Sequence, residues 1–432
     1  MFCRCFSAVR AMMNYLTPAR LFCMGFILVA TIAPAQTWTQ TSAPTNNWYS
    51  IACSADGAKL FAVNQISTEA YLDPPSLSPL YLSTDSGETW QAGTTDVWWN
   101  AAWSLVICSA EGSRLVASME FFWAPLEFSA NSGADWFFGG PTNDVSSSQL
   151  PYVGPWNCLS ASADGSKIFG YSYADGVMFA SMDFGASWFS EDQLSPETTC
   201  IACSADGSQL IAGTFVGGLF LSHDAGTNWE PASVSDAFQW NAVASSADGS
   251  KLVAAACIVS PPETAASAGR IFTSADFGAT WSMTSAPTNN WMAVASSADG
   301  RKLGAVAQYG QIYISTNAGA SWSTGNSPST NWQSIAVSAD GTKFYATVAG
   351  GGIWALQAAP SPQLNISVAT ASTTISWIVP SINFSLQQSA DLTTWSMVTN
   401  TPLLNYSNLQ YRVCLPIKNP STYFRLISLQ HS

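Results

Sequence analysis

Apolar positions along the chain come in short runs broken by polar turns, as in Trp48-Tyr-Ser-Ile-Ala-Cys53 followed by Lys59-Leu-Phe-Ala-Val63. Between such runs the phrase Ser-Ala-Asp-Gly recurs, once with Glu in place of Asp. Its glycines are Gly57, Gly112, Gly165, Gly207, Gly249, Gly300 and Gly341, spaced 55, 53, 42, 42, 51 and 41 residues apart. Two β-rich runs flanking a tight turn predict a hairpin, with Asp bonding the turn backbone and Gly supplying a positive φ. A second phrase, Ser-x-Asp/Asn-x-Gly-x-x-Trp, follows in six units: Ser83 to Trp90, Ser129 to Trp136, Ser181 to Trp188, Ser222 to Trp229, Ser274 to Trp281 and Ser315 to Trp322. Each unit therefore contains four short strands, here called a to d, and a period of 40 to 55 residues with four strands predicts a blade of a β-propeller.

The seventh unit runs from Gly352-Ile-Trp-Ala-Leu-Gln357 towards Pro360 without the second phrase. The missing strand is at the other end of the chain. Thr37 to Trp48 aligns without gaps on Thr280 to Trp291, so residues 37 to about 42 are expected to supply strand d of unit seven and remove the exposed edges. The expected fold class is all-β: a seven-bladed propeller over residues 36–358, closed by an N-terminal strand. A linker at 359–362 and a small β-sandwich at 363–432 follow, the latter read from the alternating runs at Thr374 to Ile378, Phe384 to Gln387, Trp395 to Val398 and Tyr423 to Ile427.

Composition narrows the function. Only 9% of the 432 residues are charged, against about 25% in ordinary soluble domains. Residues 1–35 combine basic residues, the apolar run Leu21 to Ala33 and the ending Ala33-Pro34-Ala35, which reads as a secretory leader cleaved near Ala35. The mature net charge is then about -16, from 11 basic and 27 acidic residues, and nucleic acid is an unsuitable partner. A secreted or periplasmic monomer with no membrane span is expected, acting on a glycan or an extracellular protein. Two histidines and an odd seven mature cysteines suggest neither a metal site nor a disulfide framework. No cofactor is expected.

The second phrase resembles the Asp-box, or bacterial neuraminidase repeat, of sialidases, sortilin-type receptors, xyloglucanases and photosystem II assembly-factor propellers. That resemblance implies a propeller with the boxes capping outer c–d hairpins, away from the usual ligand face. It does not imply an activity, since the box decorates enzymes and non-enzymes. The pattern Phe384-x-Leu-Gln-x-Ser-x-Asp-Leu392 with Trp395 and Phe424-Arg-Leu426 is similar to an accessory C-terminal module of secreted bacterial proteins.

In a blade, the a–b and c–d turns share one face, while the b–c loops and d–a links share the other. Asp56, Asp164, Asp206, Asp248, Asp299 and Asp340 of the first phrase are read as turn residues, together with Asp85, Asp183, Asp224 and Asp276 of the second. Asn131 and Asn317 replace Asp in two boxes, a change a turn tolerates and a catalytic carboxylate does not. Thirteen of the nineteen tryptophans fall at repeat positions. Those opening strand a (Trp48, Trp103, Trp156, Trp240, Trp291 and Trp332) either pack between blades or ring the mouth. Seven of the eleven mature basic residues neighbour turns and three lie in the C-terminal module, leaving Arg270. A sialidase grips its substrate carboxylate with an arginine triad, which this propeller cannot assemble.

The long loops of units one and two hold the residues that the repeat does not explain. Tyr71, Asp96, Trp98, Trp99, Phe122 and Trp123 form the expected aromatic and acidic binding patch, suited to neutral sugars. The alternative is a glycan-cleaving enzyme drawing an acid and a base or nucleophile from Glu69, Asp73, Glu120 and Asp144.

Overall fold

The computed structural model describes residues 37–65, 80–93, 103–119, 126–141, 155–173, 175–191, 194, 197–215, 218–234, 238–258, 269–357, 364–368, 372–379, 384–406, 409–416 and 422–428. The leader and the linker expected at 1–35 and 359–362 lie outside these residues. The fold is an all-β propeller of small antiparallel sheets. Four of the units are separate four-stranded sheets, opening with strands Trp103–Cys108, Trp156–Ala161, Thr198–Cys203 and Phe238–Ser245. Units six, seven and one differ from that pattern because their sheets run together. The start of Asn46–Cys53 pairs with the end of Lys343–Gly351, and Leu303–Gly310 pairs with Thr330–Val337. In unit six the fourth strand is reduced to the single bridge Ile314↔Ser323. In unit seven the outer strand is Thr39–Gln40, paired with Ala355 and Trp354.

Strand a of each unit touches strand a of the next, in a sequence that returns from Thr330–Val337 to Asn46–Cys53. The alanines of the first phrase bond head to tail around this hub: each of Ala55, Ala110, Ala163, Ala205, Ala247 and Ala298 donates its N–H to the carbonyl of the next, and Ala339 donates to Ala55, at 2.6 to 2.8 Å. Alanine suits the position because a larger side chain at seven converging points would crowd the axis.

A second ring surrounds the first. Lys59, Arg114, Lys167, Lys251, Lys302 and Lys343 each donate to the backbone carbonyl of the Asp or Glu in the next unit's turn. Their stems lie where a Cβ on the next turn's glycine would fall, as for Lys302 at 2.6 Å from such a position on Gly341. Glycine is required there twice over, because its φ is also +62°. Unit four has Gln209 in place of the cation, bonded instead to His223.

Strand-a tryptophans are buried at the seam with the preceding unit, Trp103 against Phe61, Val63 and Leu80, and Trp48 against Tyr345, Ile353 and Ala355. They pack between blades and do not ring the mouth. Three of them also meet the tryptophan on their own unit's outer edge, Trp48 with Trp90 at 6.4 Å, Trp103 with Trp136 at 6.3 Å and Trp156 with Trp188 at 6.1 Å. Trp38 meets Trp332 in the same way at 6.5 Å.

The C-terminal residues form a four-stranded sheet (Asn365–Val368, Ser372–Ile378, Gln410–Pro416, Leu403–Asn405) facing a three-stranded one (Phe384–Ser389, Ser396–Met397, Tyr423–Ser428) around Ile375, Trp377, Leu386 and Val413. This module is docked on the alanine ring. Val379 is buried with Ala55 and Ala339, and Leu409 packs against alanines on both sides of the hub. Leu409 thereby closes one end of a central cavity of about 190 Å³ lined by Cys53, Cys108, Cys203, Ser245 and Ser296.

Glu111, the one Glu in the first phrase, has its role here. In the other six units Asp Oδ1 accepts from the turn serine at 2.5 to 2.7 Å and from the backbone N–H two residues on. Glu111 instead reaches outward and accepts from the Tyr406 hydroxyl at 2.7 Å. Tyr406→Phe should weaken docking by about 1 kcal/mol, seen as earlier urea unfolding of the C-terminal module. An unchanged midpoint would show that the bond contributes nothing to docking.

Candidate functional site

The turns on the a–b and c–d face are fully employed. In each second phrase the serine hydroxyl donates to the Asp or Asn two residues on and accepts the glycine N–H, as Ser181 does with Asp183 (2.9 Å) and Gly185 (2.8 Å). Asp183 and Asp276 are held below the usual carboxylate range, first by the hydroxyls of Ser187 and Thr280 and then by the same residues' backbone N–H groups. Asp85 and Asp224 make the equivalent bonds to Thr89 and Asn228. In five of the six the tryptophan ring N–H closes the turn on the glycine carbonyl, as in Trp188 to Gly185 at 3.1 Å; Trp90 does not.

The opposite face carries the b–c loops and d–a links. Tyr71, Asp96, Trp98, Trp99, Phe122, Trp123, Glu69, Asp73, Glu120 and Asp144 lie outside the described residues. What is described on this face begins with a bulge repeated in all seven units. Strand a skips one residue in its pairing, at Tyr49, Ser104, Asn157, Thr199, Asn241, Met292 and Gln333. Bulges re-aim side chains, and here Asn157, Thr199 and Asn241 donate to the carbonyls of Thr198, Trp240 and Trp291, at the tryptophan position of strand a in the next unit. The inner rim is therefore built from neutral amides and hydroxyls, with Tyr49 and Met292. Arg270, left over by the turn pattern, bonds Met283 Sδ at 3.2 Å.

Just past strand b the chain presents a second set. The backbone N–H groups of Gln65, Tyr173, Phe215 and Gln308 donate to the carbonyls of Asn47, Pro155, Glu197 and Asn290, so the four positions are equivalent and fixed at the backbone. Two are aromatic and open to solvent, Tyr173 at 61% and Phe215 at 44% exposure, on adjacent units. Asp175 follows on the unit-three loop, accepting from Ser172 at 2.6 Å. Tyr171 lies below, wholly buried, with no hydrogen-bond partner for its hydroxyl among the described residues. Burial, followed by Cys158, Glu197 and Tyr173, pushes that hydroxyl up to about 12. Reading the loops for length alone passes over these residues; the signal is an aromatic just after strand b when units are aligned.

One further carboxyl stands out. Glu127 on strand Leu126–Ser129 is 1% exposed, neither of its oxygens has a partner among the described residues, and burial raises it to about 7. Its partner across the sheet is Ala117, and in the other units the position opposite that small residue is Tyr81, Phe179, Phe220, Phe272, Tyr313 or Trp354. Glu127 therefore replaces an aromatic ring in the seam between units one and two. Among the described residues no His, Cys, Asp and Glu group is arranged to hold a metal ion, and no helix is long and apolar enough to cross a membrane.

No family model matches the sequence, and no curated relative matches it. Solved structures do resemble the fold. YCF48 from Cyanidioschyzon merolae is 15% identical with a TM-score of 0.53, covering 74% of this chain and 99% of its own. YCF48 bound to D1 peptide is 15% identical with a TM-score of 0.54, covering 77% and 97%. The GH74 xyloglucanase of Xanthomonas campestris is 15% identical with a TM-score of 0.56, covering 79% of this chain and 59% of its own. At these identities the likeness is one of fold, a β-propeller architecture that binding proteins and glycoside hydrolases both use.

Proposed function

We propose that the chain is an exported, non-catalytic binding protein: a monomeric seven-bladed Asp-box propeller, closed by strand Thr39–Gln40, whose b–c and d–a face receives a neutral glycan. The observation that carries this reading is the C-terminal module seated on the alanine ring, which occupies the centre of the opposite face. The free face offers amides, hydroxyls and exposed aromatic rings, a set that stacks on sugar faces and bonds neutral hydroxyls. The proposal includes the aromatic and acidic patch that the sequence places in the long loops of units one and two. A protein ligand is the competing partner, as YCF48 with the D1 peptide illustrates.

A glycan-cleaving enzyme is the second reading, favoured by the xyloglucanase likeness and by Glu127, whose raised pKa suits a general acid. Glu127 is buried in the seam between blades, whereas a general acid must reach the leaving-group oxygen. A panel of neutral polysaccharides, assayed for retention of the protein and for reducing-end release in parallel, is expected to give binding without release. Release abolished by Glu127→Gln would establish the enzyme reading; retention of no neutral polysaccharide would remove the glycan.

A further inference from the structure

We propose that the seam between the third and fourth blades is a glycan subsite, in which Tyr173 and Phe215 stack on the sugar faces while Asp175, Glu197 and the Tyr171 hydroxyl bond sugar hydroxyls. This rests on the reading that the face takes a neutral glycan, and it gives that glycan a place distinct from the long loops of blades one and two.

The two rings hold equivalent positions on neighbouring sheets, and packed sheets lie about 10 Å apart, a spacing that spans neighbouring sugars of one chain. Each ring is carried on a backbone anchored by its own N–H, to Pro155 and to Glu197, so little order is lost on binding. Other aromatics are comparably exposed, Phe137, Phe138, Phe277 and Tyr309 among them; what sets Tyr173 and Phe215 apart is that they hold equivalent positions on adjacent blades. Tyr171 is the second and independent sign. Buried polar groups are bonded as a rule, yet this hydroxyl has no partner among the described residues, and it lies close enough to Glu197 and Tyr173 to feel both. As residues two apart on one strand face the same side, Tyr171 and Tyr173 both look toward blade four, where Tyr171 packs with Ile201 and Ala212. A ligand hydroxyl would supply the missing partner. The nearby carboxyls, Asp175 and Glu197, accept hydrogen bonds from sugar hydroxyls and repel anionic sugars, which fixes the class as neutral.

The test is calorimetric titration of the full chain with cellohexaose and mannohexaose, and with an oligogalacturonide as the anionic probe. Binding of a neutral hexasaccharide is expected, with at least tenfold loss in the double variant Tyr173→Ala/Phe215→Ala and about threefold loss in Tyr171→Phe at unchanged thermal stability. Tyr309→Ala, an aromatic 74% exposed on blade six, should stay within twofold of the parent. Both aromatic sites are at the surface, so folding is preserved. Parent affinity in the double variant, or equal loss in Tyr309→Ala, overturns the subsite while leaving the glycan reading intact. Binding of only the oligogalacturonide, or of none of the three probes, overturns both.

Discussion

Glu127→Phe should stabilise the protein by about 3 kcal/mol at pH 8 and by clearly less at pH 4. The folded chain holds this proton up to about pH 7, whereas a free glutamate releases it near 4.5. Between those values the folded state binds more protons than the unfolded one, so stability falls as pH rises through the window and is flat above it. A gap of that size corresponds to about 3 kcal/mol. The aromatic replacement removes the charge penalty and fills a slot in which the other blades place rings against their strand-a tryptophans, such as Trp48 with Tyr81 at 5.1 Å and Trp291 with Tyr313 at 5.2 Å. Urea unfolding at the two pH values measures the effect. An equal gain at both would mean that Glu127 is not the group that titrates.

Trp38→Ala should cost about 3–5 kcal/mol, the usual loss on truncating a buried tryptophan. Trp38 is 6% exposed and packs with Trp332, Ile335 and Leu356. Its strand also covers the edge of Ile353–Gln357 through Thr41 N–H to the Ile353 carbonyl at 2.8 Å. An uncovered edge invites pairing between molecules, so light scattering should show association alongside the lower urea midpoint. Trp38→Phe should retain most of the stability. A Trp38→Ala variant that unfolds at the parent midpoint and stays monomeric would show that the closing strand contributes little.

The repeat made the hairpins and the propeller architecture legible, because each turn depends on local chemistry: a serine, an acid or amide and a glycine in fixed order. What the turns do to their neighbours was harder to read. Lys59 and its counterparts stand beside turns in the sequence, but their bonds cross to the next blade, and only folding brings Lys343 to Asp56. Both readings of the strand-a tryptophans were open, since a β-rich run does not say which neighbour a side chain faces. Docking of the C-terminal module rests on alanines and Leu409, residues without a recognisable signature. Its one trace was the longer side chain of Glu111. Glu127 and Tyr173 become conspicuous only when seven units are superposed strand by strand, because each is ordinary in its own stretch of sequence.

Strand Thr39–Gln40 leaves the ribosome early and must wait for its partner. Thr39 and Ala355 are 316 residues apart, and chains grow at about 5–20 residues per second, so the delay is on the order of tens of seconds. Throughout that time Trp38 has no Trp332 to pack against, and the first hairpins have no preceding sheet to cover Trp48. Each new blade can dock on the one before it as synthesis proceeds, but the pairing of Thr39–Gln40 with Ile353–Gln357 joins segments made far apart in time. Blades already docked one on another hold the two segments closer than a flexible loop of that length would, which lowers the entropic cost of their pairing. The pairing of Thr39–Gln40 therefore waits until Ile353–Gln357 has been made, and a chain interrupted before Ile353 leaves that strand without its partner edge.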